Sequence, residues 1–312
     1  MIKQVYKKLI SIAAATGTLI ILSACTEPAQ TWNPSFVSLT PKPTQAAEPS
    51  GETTPVPTPE TLPTQEPEAT PEPTPTEAPE ATPTPEPTKA PAMTKDDFKA
   101  SDFFDESVFV GDSVLSHFYL TVPIQDKETF GGSKNLTVVS YSVREALKEE
   151  SDIHPMYQGE RKQVWETIKL MDAKRVLLFF GLNDIGISGV EGFVENYKTL
   201  VANIKEAAPE ASIYIISISP MRADKEGKRL NNAKITEANG LLKEYALAEE
   251  IGYIDVATML LDENGAMNTE YSDGETNVHL NKKAYLMWKD VLVEYAKEQL
   301  LAEYEAENGL TE

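Results

Sequence analysis

The sequence predicts an α/β protein in which a parallel sheet lies between two layers of helices. Two continuous apolar runs, residues 175–180 and 213–218, have the length and composition of strands that are buried on both faces. Segments of helix length separate these runs from each other and from further strand-like segments. Strands that alternate with helices form right-handed crossovers in a parallel sheet. The predicted architecture is therefore a three-layer α/β/α sandwich.

The first 24 residues predict a lipoprotein signal peptide. Three lysines within the first eight residues precede an apolar run over 9–22. This run is shorter than the roughly 20 residues that a transmembrane helix needs. The sequence Leu-Ser-Ala-Cys that follows resembles a bacterial lipobox, which implies cleavage before Cys25 and a diacylglyceryl group on its sulfur. Cys25 is the only cysteine, so disulfides within the chain are excluded. We expect a protein anchored through Cys25 alone to the extracellular face of the bacterial cell membrane.

Residues 25–92 predict a lipid-anchored N-terminus followed by a disordered linker. From about residue 41 the composition is Pro, Thr, Glu and Ala in degenerate repeats, which leaves too little apolar surface to offset the chain entropy of folding. The proline content favours extended polyproline II conformations. The segment is either a spacer that holds a domain away from the membrane or a linker of no particular length.

Residues 93–312 have the length of one globular domain, which we expect to be monomeric. The chain carries a net charge of −21, of which residues 1–40 contribute +2 and residues 41–92 contribute −7, so −16 remains on the domain. Such an acidic surface repels nucleic acids and anionic lipids, and neither is expected as a partner. The local basic cluster of Arg222, Lys225, Lys228 and Arg229 is expected to be a solvated loop rather than a phosphate site.

Predicted strands and helices alternate along the domain. An apolar run from residue 107 ends abruptly in Gly111-Asp112-Ser113, and a segment with helical potential follows to about residue 120. After a Gly131-Gly132 turn, strands are predicted at 136–140, 175–180, 213–218 and 253–256. Helices are predicted at 161–171, 194–207, 235–249 and 281–303.

Three predicted turns carry side chains suited to nucleophilic catalysis. Ser113 follows the first strand, Asn183 follows the strand at 175–180, and His279 lies in a polar loop before the last helix. Ligands of open α/β sheets bind at the carboxyl edge of the strands, where the first two turns must lie. A serine hydroxyl needs a base within hydrogen-bond reach, and histidine is the commonest base.

The remaining candidates are supporting groups. The amide of Asn183 and backbone N–H groups at Ser113 and near Ser142 could donate to a developing oxyanion. Of the other two histidines, His117 lies one helical turn after Ser113, where it lines the cleft or caps a surface, and His154 is expected to be a loop residue.

The ordered set Gly111-Asp112-Ser113, Gly181-Leu182-Asn183-Asp184, and Asp273-Gly274 with His279-Leu280-Asn281 resembles the SGNH hydrolases, also called GDSL-type esterases. The resemblance covers most of the domain but is confined to these motifs. It implies a flavodoxin-like sheet, a Ser113 nucleophile, a His279 base, and an oxyanion hole to which Asn183 contributes. It also implies that neither a metal nor an organic cofactor takes part.

Two departures from the family's pattern leave alternatives open. The second motif block supplies an oxyanion-hole glycine in the family, whereas here Ser142 is the nearest substitute, with Gly131 or Gly132 as alternatives. The family's acid stands three residues before the histidine, but that position is Thr276. Asp273 is the preferred candidate because Gly274 would let the extra residues fold out. The alternatives are Glu275, or a Ser-His dyad in which Thr276 or a carbonyl group orients the ring.

The resulting functional prediction is a cell-surface serine esterase. It would remove an acyl group from a carbohydrate or a cell-wall glycan through an acyl-Ser113 intermediate. The favoured acyl group is acetyl. The alternatives are a glycan O-acyltransferase that uses the same intermediate, a lysophospholipase or thioesterase, and a non-catalytic glycan-binding module.

Overall fold

The computed structural model of the protein describes residues 91–310. The predicted signal peptide, the lipid attachment site at Cys25 and nearly all of the predicted linker lie outside the described residues. None of the helices within 91–310 combines the length and the hydropathy that a membrane-crossing segment requires.

Five strands form the main sheet, and all of its neighbouring pairs are parallel. In chain order the strands are β1 (Ser107–Gly111), β2 (Lys134–Thr137), β3 (Met156–Tyr157), β4 (Glu160–Arg161), β5 (Arg175–Phe179), β6 (Ser212–Ile216) and β7 (Gly252–Ile254). The order across the sheet is β2-β1-β5-β6-β7, while β3 and β4 pair separately as a short antiparallel hairpin. Without that hairpin this is the flavodoxin-like order, and the direction of winding reverses between β1 and β5.

The helices are α1 (Ala100–Phe104), α2 (Ser113–Thr121), α3 (Lys127–Phe130), α4 (Val143–Ala146), α5 (Val164–Leu170), α6 (Ile185–Ala207), α7 (Asn232–Ala248) and α8 (Lys282–Glu307). Short 3-10 helices lie at Lys95–Asp97, Ala223–Lys225, Thr258–Leu260 and Thr269–Tyr271. Helices α1, α2, α3 and α8 contact one another, and α4, α5, α6 and α7 form a second contiguous set. Right-handed crossovers place these two sets on opposite faces of the sheet, which confirms the three-layer sandwich.

Several predicted element boundaries are wrong, and three of the differences have a local reason. Strand β2 lies at 134–137 rather than 136–140, and Ser140 beyond it has φ 62°, which a strand cannot accommodate. The predicted helix at 161–171 begins only at Val164, because Arg161 belongs to the β3–β4 hairpin. The helix predicted from residue 194 begins at Ile185 and continues through a kink at Gly189, where φ is 73°.

An aromatic cluster holds α8 against α2 and the sheet. The fully buried ring of Trp288 on α8 lies 5.3 Å from that of Phe179 and 5.8 Å from that of Phe118. The hydroxyl of Tyr285 donates a hydrogen bond to the carbonyl of Val114 at 3.1 Å. Since α8 follows the loop that carries His279, these contacts fix that loop relative to the helix that begins at Ser113.

We predict that Gly111→Ala destabilises the protein by at least about 1–3 kcal/mol. A Cβ at this position would lie 2.4 Å from the carbonyl oxygen of Phe179 on the neighbouring strand, so the two backbones would have to separate. Urea denaturation measures the effect. The matched control is Gly240→Ala, an exposed glycine inside α7 with open space around it, which should stabilise the protein by up to about 1 kcal/mol. Equal effects of the two substitutions would contradict the close approach at Gly111.

Candidate active site

Ser113 stands at the start of α2, directly beyond the carboxyl end of β1. Asp112 is the N-cap of this helix, and its carboxylate accepts a hydrogen bond from the Val114 N–H at 2.9 Å. The cap makes the chain leave the strand and enter the helix within one residue. As a result the half-buried Ser113 hydroxyl lies at the edge where the sheet reverses its winding.

His279 completes a serine–imidazole pair with Ser113. The Oγ atom of Ser113 lies 2.9 Å from Nε2 of His279, although 166 residues separate the two in the chain. The His279 side chain is 21% exposed, so solvent and a bound molecule can both reach the pair. Burial lowers the pKa of His279 and the neighbouring His117 lowers it further, while the charge of Asp273 opposes both effects. The imidazole is therefore neutral near pH 7 and can accept the serine proton.

The loop from Asp273 to His279 is closed at its base. Ser272 and Leu280 form an antiparallel bridge, and the Asp273 N–H donates to the carbonyl of His279 at 3.2 Å. Gly274, with φ 82°, lets the chain turn outward between these ends. This closure brings Asp273 back beside His279 despite the six-residue separation.

The Asp273 carboxylate faces the imidazole of His279 without a direct hydrogen bond to the ring. Its Oδ2 atom lies 4.0 Å from His279 Nδ1, within the range of a charge interaction. The same oxygen accepts a hydrogen bond from the Thr276 hydroxyl, and Oδ1 accepts from the N–H groups of Glu275 and Thr276. The Thr276 hydroxyl in turn accepts a hydrogen bond from the His279 N–H at 3.0 Å.

Glu275 is exposed, and it joins this network through its backbone N–H, which donates to Asp273. Among the candidate acids, the geometry therefore favours Asp273.

Asn183 lies in the turn after β5 and bridges the other two turns. Its Nδ2 atom donates to Asp112 Oδ2 at 3.3 Å and to the carbonyl of Tyr141 at 3.2 Å. Since both neighbours are acceptors, the amide is oriented with its nitrogen toward them. Ser142, the residue after Tyr141, is buried and its hydroxyl caps α4 by accepting from the Glu145 N–H. Asn183 thus links the segments that carry Ser113 and Ser142, through the residue before each of them.

The alternative oxyanion donors Gly131 and Gly132 lie at the opposite edge of the sheet. They precede β2, and a Cβ on Gly132 would meet the backbone of Asp105, which precedes β1. In a parallel sheet, residues that precede the strands cannot reach the carboxyl edge. These two alternatives are therefore excluded by the topology.

Two buried carboxyl groups support the turns that carry the site. Asp184 accepts hydrogen bonds from the N–H groups of Val143 and Arg144, so it joins the turn after β5 to α4. Burial raises the pKa of Asp112 to about 7 and that of Asp184 to about 6, and the charge of Asp184 adds to the rise at Asp112. Backbone donors oppose the rise at both carboxyls.

Asp112 and Asp184 had no predicted role, although each belongs to one of the motifs that predict the site. Their position beside Ser113 and Asn183 was the available signal. Arg222 was also missed as a supporting residue: its guanidinium donates to the carbonyl of Gly274 at 2.9 Å, and its backbone N–H donates to that of Asn277. Arg222 therefore secures the Asp273–His279 loop, while Lys225, Lys228 and Arg229 are exposed, as a solvated loop would be.

The two remaining histidines differ in their relation to the site. The ring centroid of His117 lies 4.7 Å from that of His279, so His117 lines the site. His154 is buried, and its ring nitrogens contact the Tyr141 hydroxyl at 3.2 Å and the Lys148 carbonyl at 3.0 Å. It is thus a packed structural residue of the turn that carries it. Within residues 91–310, no group of three or more His, Cys, Asp and Glu side chains is arranged to hold a metal ion.

Comparison with protein families gives one match, to the model described as the GDSL-like lipase/acylhydrolase family, over residues 110–287. This span covers more than half of the 312-residue chain and includes Ser113, Asn183 and His279. A search of curated proteins gives no match.

Several solved structures are similar to the chain at low sequence identity. A lipase/acylhydrolase from Enterococcus faecalis is 17% identical, with 62% of this chain and 95% of that chain covered and a TM-score of 0.47. A GDSL-like lipase from Bacteroides thetaiotaomicron is 16% identical, with 64% and 88% covered and a TM-score of 0.44. A carbohydrate esterase family 3 protein from Talaromyces cellulolyticus is 13% identical, with 63% and 98% covered and a TM-score of 0.42.

Proposed function

The chain belongs to the GDSL-like lipase/acylhydrolase family and is a hydrolase of ester bonds, and from this premise we propose its substrate, its catalytic residues and its location. The proposed reaction is the removal of an acyl group from a carbohydrate or a cell-wall glycan, and the favoured acyl group is acetyl. The observation that carries the proposal is the 2.9 Å contact between Ser113 Oγ and His279 Nε2 at the carboxyl edge of the sheet.

In the proposed mechanism Ser113 attacks the ester carbonyl while His279 Nε2 takes the serine proton. The imidazolium then gives this proton to the leaving sugar oxygen, which leaves an acyl group on Ser113. A water molecule, deprotonated by the same nitrogen, attacks the acyl carbonyl. The second tetrahedral intermediate collapses and releases the carboxylic acid, while the imidazolium returns its proton to Ser113 Oγ.

The negative charge of each tetrahedral intermediate would be stabilised by the Asn183 amide and by the backbone N–H groups of Ser113 and Ser142. Both hydrogens of the Asn183 amide already have acceptors, at 3.3 and 3.2 Å, so an oxyanion bound there would share or replace one of these long hydrogen bonds. The backbone N–H groups of Ser113 and Ser142 lie at the N-terminal ends of α2 and α4, so these two donors are oriented before the charge forms. Each such donor typically contributes about 10²–10³-fold in rate.

Accessibility supports an ester carried on a large molecule. Ser113 is half-buried and the side chains of His279 and Asp273 are 21% and 25% exposed, so the reacting groups lie near the surface. A polymer can present an acetylated hydroxyl to such groups without threading through the protein.

We predict that Ser113→Ala lowers kcat for p-nitrophenyl acetate by at least about 10³-fold, because the nucleophile is lost. The purified protein is assayed on p-nitrophenyl esters of increasing chain length and on an acetylated polysaccharide. Ser101→Ala, on α1 at the opposite edge of the sheet, is the matched control and should keep full turnover.

Three outcomes of this assay would redirect the proposal. Equal turnover by wild type and Ser113→Ala would contradict the assigned nucleophile. Preference for long acyl chains would favour a lipase or thioesterase, and acyl transfer to an added sugar would favour a transferase.

We predict that Asp273→Asn lowers kcat/KM by about 10- to 100-fold, whereas Glu275→Gln changes it by less than about twofold. The first substitution removes the charge that stabilises the His279 imidazolium. The second removes an exposed charge of the same loop. Steady-state kinetics of the two variants decide the matter, and equal small losses would establish a Ser-His dyad.

We further propose that Cys25 is lipidated and holds the protein at the extracellular face of the bacterial membrane. The lipobox-like sequence before Cys25 and the proline-rich segment after it support this location. We predict that mass spectrometry of the mature protein finds Cys25 as its first residue, with acyl chains on its sulfur. Cys25→Ser should keep the signal peptide uncleaved at this position, and a free Cys25 thiol in the wild type would contradict the anchor.

A further inference from the structure

His117 places a second imidazole against the ring of His279. The ring centroids are 4.7 Å apart and the planes cross at 67°, an edge-to-face arrangement. His117 lies four residues after Ser113 on α2, and residues spaced by four share one face of a helix. The nucleophile and the second ring are therefore carried by the same helix face.

The support that His279 receives from its own loop is incomplete. Asp273 comes no closer than 4.0 Å to the ring nitrogen, and both of its carboxylate oxygens accept hydrogen bonds from loop groups. The ring thus has Ser113 at Nε2, a carboxylate at charge-interaction distance from Nδ1, and His117 packed on it. Among residues 91–310, His117 is the residue whose aromatic ring packs against the His279 ring.

The helix that presents His117 is rigidly held. Asp112 caps its first turn, and Tyr285 from α8 bonds to the carbonyl of Val114. Phe118, the neighbour of His117, is fully buried against Trp288. The backbone positions of Ser113 and His117 relative to each other are accordingly fixed by the fold.

We propose that His117 is a positioning residue for His279, and that both imidazoles must be neutral for Ser113 to be activated. The inference rests on the proposed function, in which His279 is the base. Neutral His117 holds the ring at hydrogen-bond distance from the serine. Protonated His117 would place a positive charge beside the imidazolium that His279 forms when it takes the serine proton.

The charges around the pair agree with this role. From the Asp273–His279 loop, the Asp273 carboxylate acts on both rings and favours their protonated forms. Burial acts in the other direction and lowers the pKa of both histidines, and His117 further lowers the pKa of His279. From α8, Tyr285 faces the same helix as a neutral phenol, since burial raises its pKa far above the usual value. Near pH 7 both rings are therefore neutral.

The test compares His117→Phe, which keeps an aromatic ring without a titratable group, with His117→Ala, which removes both. At a pH above both histidine titrations, His117→Phe should keep kcat within about threefold, while His117→Ala should lose about tenfold because the base is no longer held in place. KM should change by less than about twofold in both variants. In the profile of log kcat/KM against pH, both variants should lose one ionisation from the acid side relative to wild type.

A merely structural role for His117 would lower stability and leave the number of ionisations unchanged, so thermal unfolding of each variant is measured beside the kinetics. Wild-type kcat and a wild-type pH profile in His117→Ala would overturn the proposal. So would an unchanged number of ionisations in His117→Phe.

A second readout does not depend on turnover. The C2 proton signals of the three histidines are followed by NMR as the whole protein is titrated, and His117→Phe should change the titration of His279. An unchanged His279 titration would overturn the pairing. Absence of Ser113-dependent turnover together with a changed titration would instead contradict the proposed function and leave the pair established.

Discussion

The hydrogen bond between Asn183 and Asp112 joins the two turns on which the whole site depends. One turn follows β1 and the other follows β5, and these strands are neighbours at the point where the sheet reverses its winding. The same amide reaches the carbonyl of Tyr141, so a third segment is tied to the first two. A single side chain therefore sets the spacing between the serine turn and the segment before α4.

Two buried carboxyl groups lie at this junction. Asp112 and Asp184 are both almost fully buried, and each accepts backbone hydrogen bonds that favour its charged form. Burial works against those bonds, and the pKa of each carboxyl is raised. The backbone hydrogen bonds nevertheless hold both carboxyl groups in place beside the turn that carries Asn183. An apolar pair of similar size would leave the N–H groups of Val114 and Val143 without partners.

Much of this arrangement could be predicted from the sequence because parallel α/β topology sends the carboxyl ends of strands to one edge. The runs before Gly111 and Gly181 are strongly apolar, and the polar residues that follow them must meet at that edge. The alternatives Gly131 and Gly132 could have been rejected on the same ground, since they precede a strand.

The contacts that sequence reasoning left open depend on rotation and packing. Whether His117 faces the cleft or solvent depends on how α2 turns about its axis, which is set by Phe118, Trp288 and Tyr285. The distance from Asp273 to His279 depends on hydrogen bonds within an irregular loop and on Arg222, which lies some fifty residues earlier in the chain. Hydrophobic periodicity has no information on such contacts.

The loop from Asp273 to His279 is closed at its base, but its exposed tip remains connected to the acid. The bridge between Ser272 and Leu280 bears the geometry of the acid and the histidine, while residues 274 and 275 project outward and are exposed. Yet the carbonyl of Gly274 is held by Arg222 and the N–H of Glu275 by the Asp273 carboxylate, so an insertion that broke either hydrogen bond would also displace the acid.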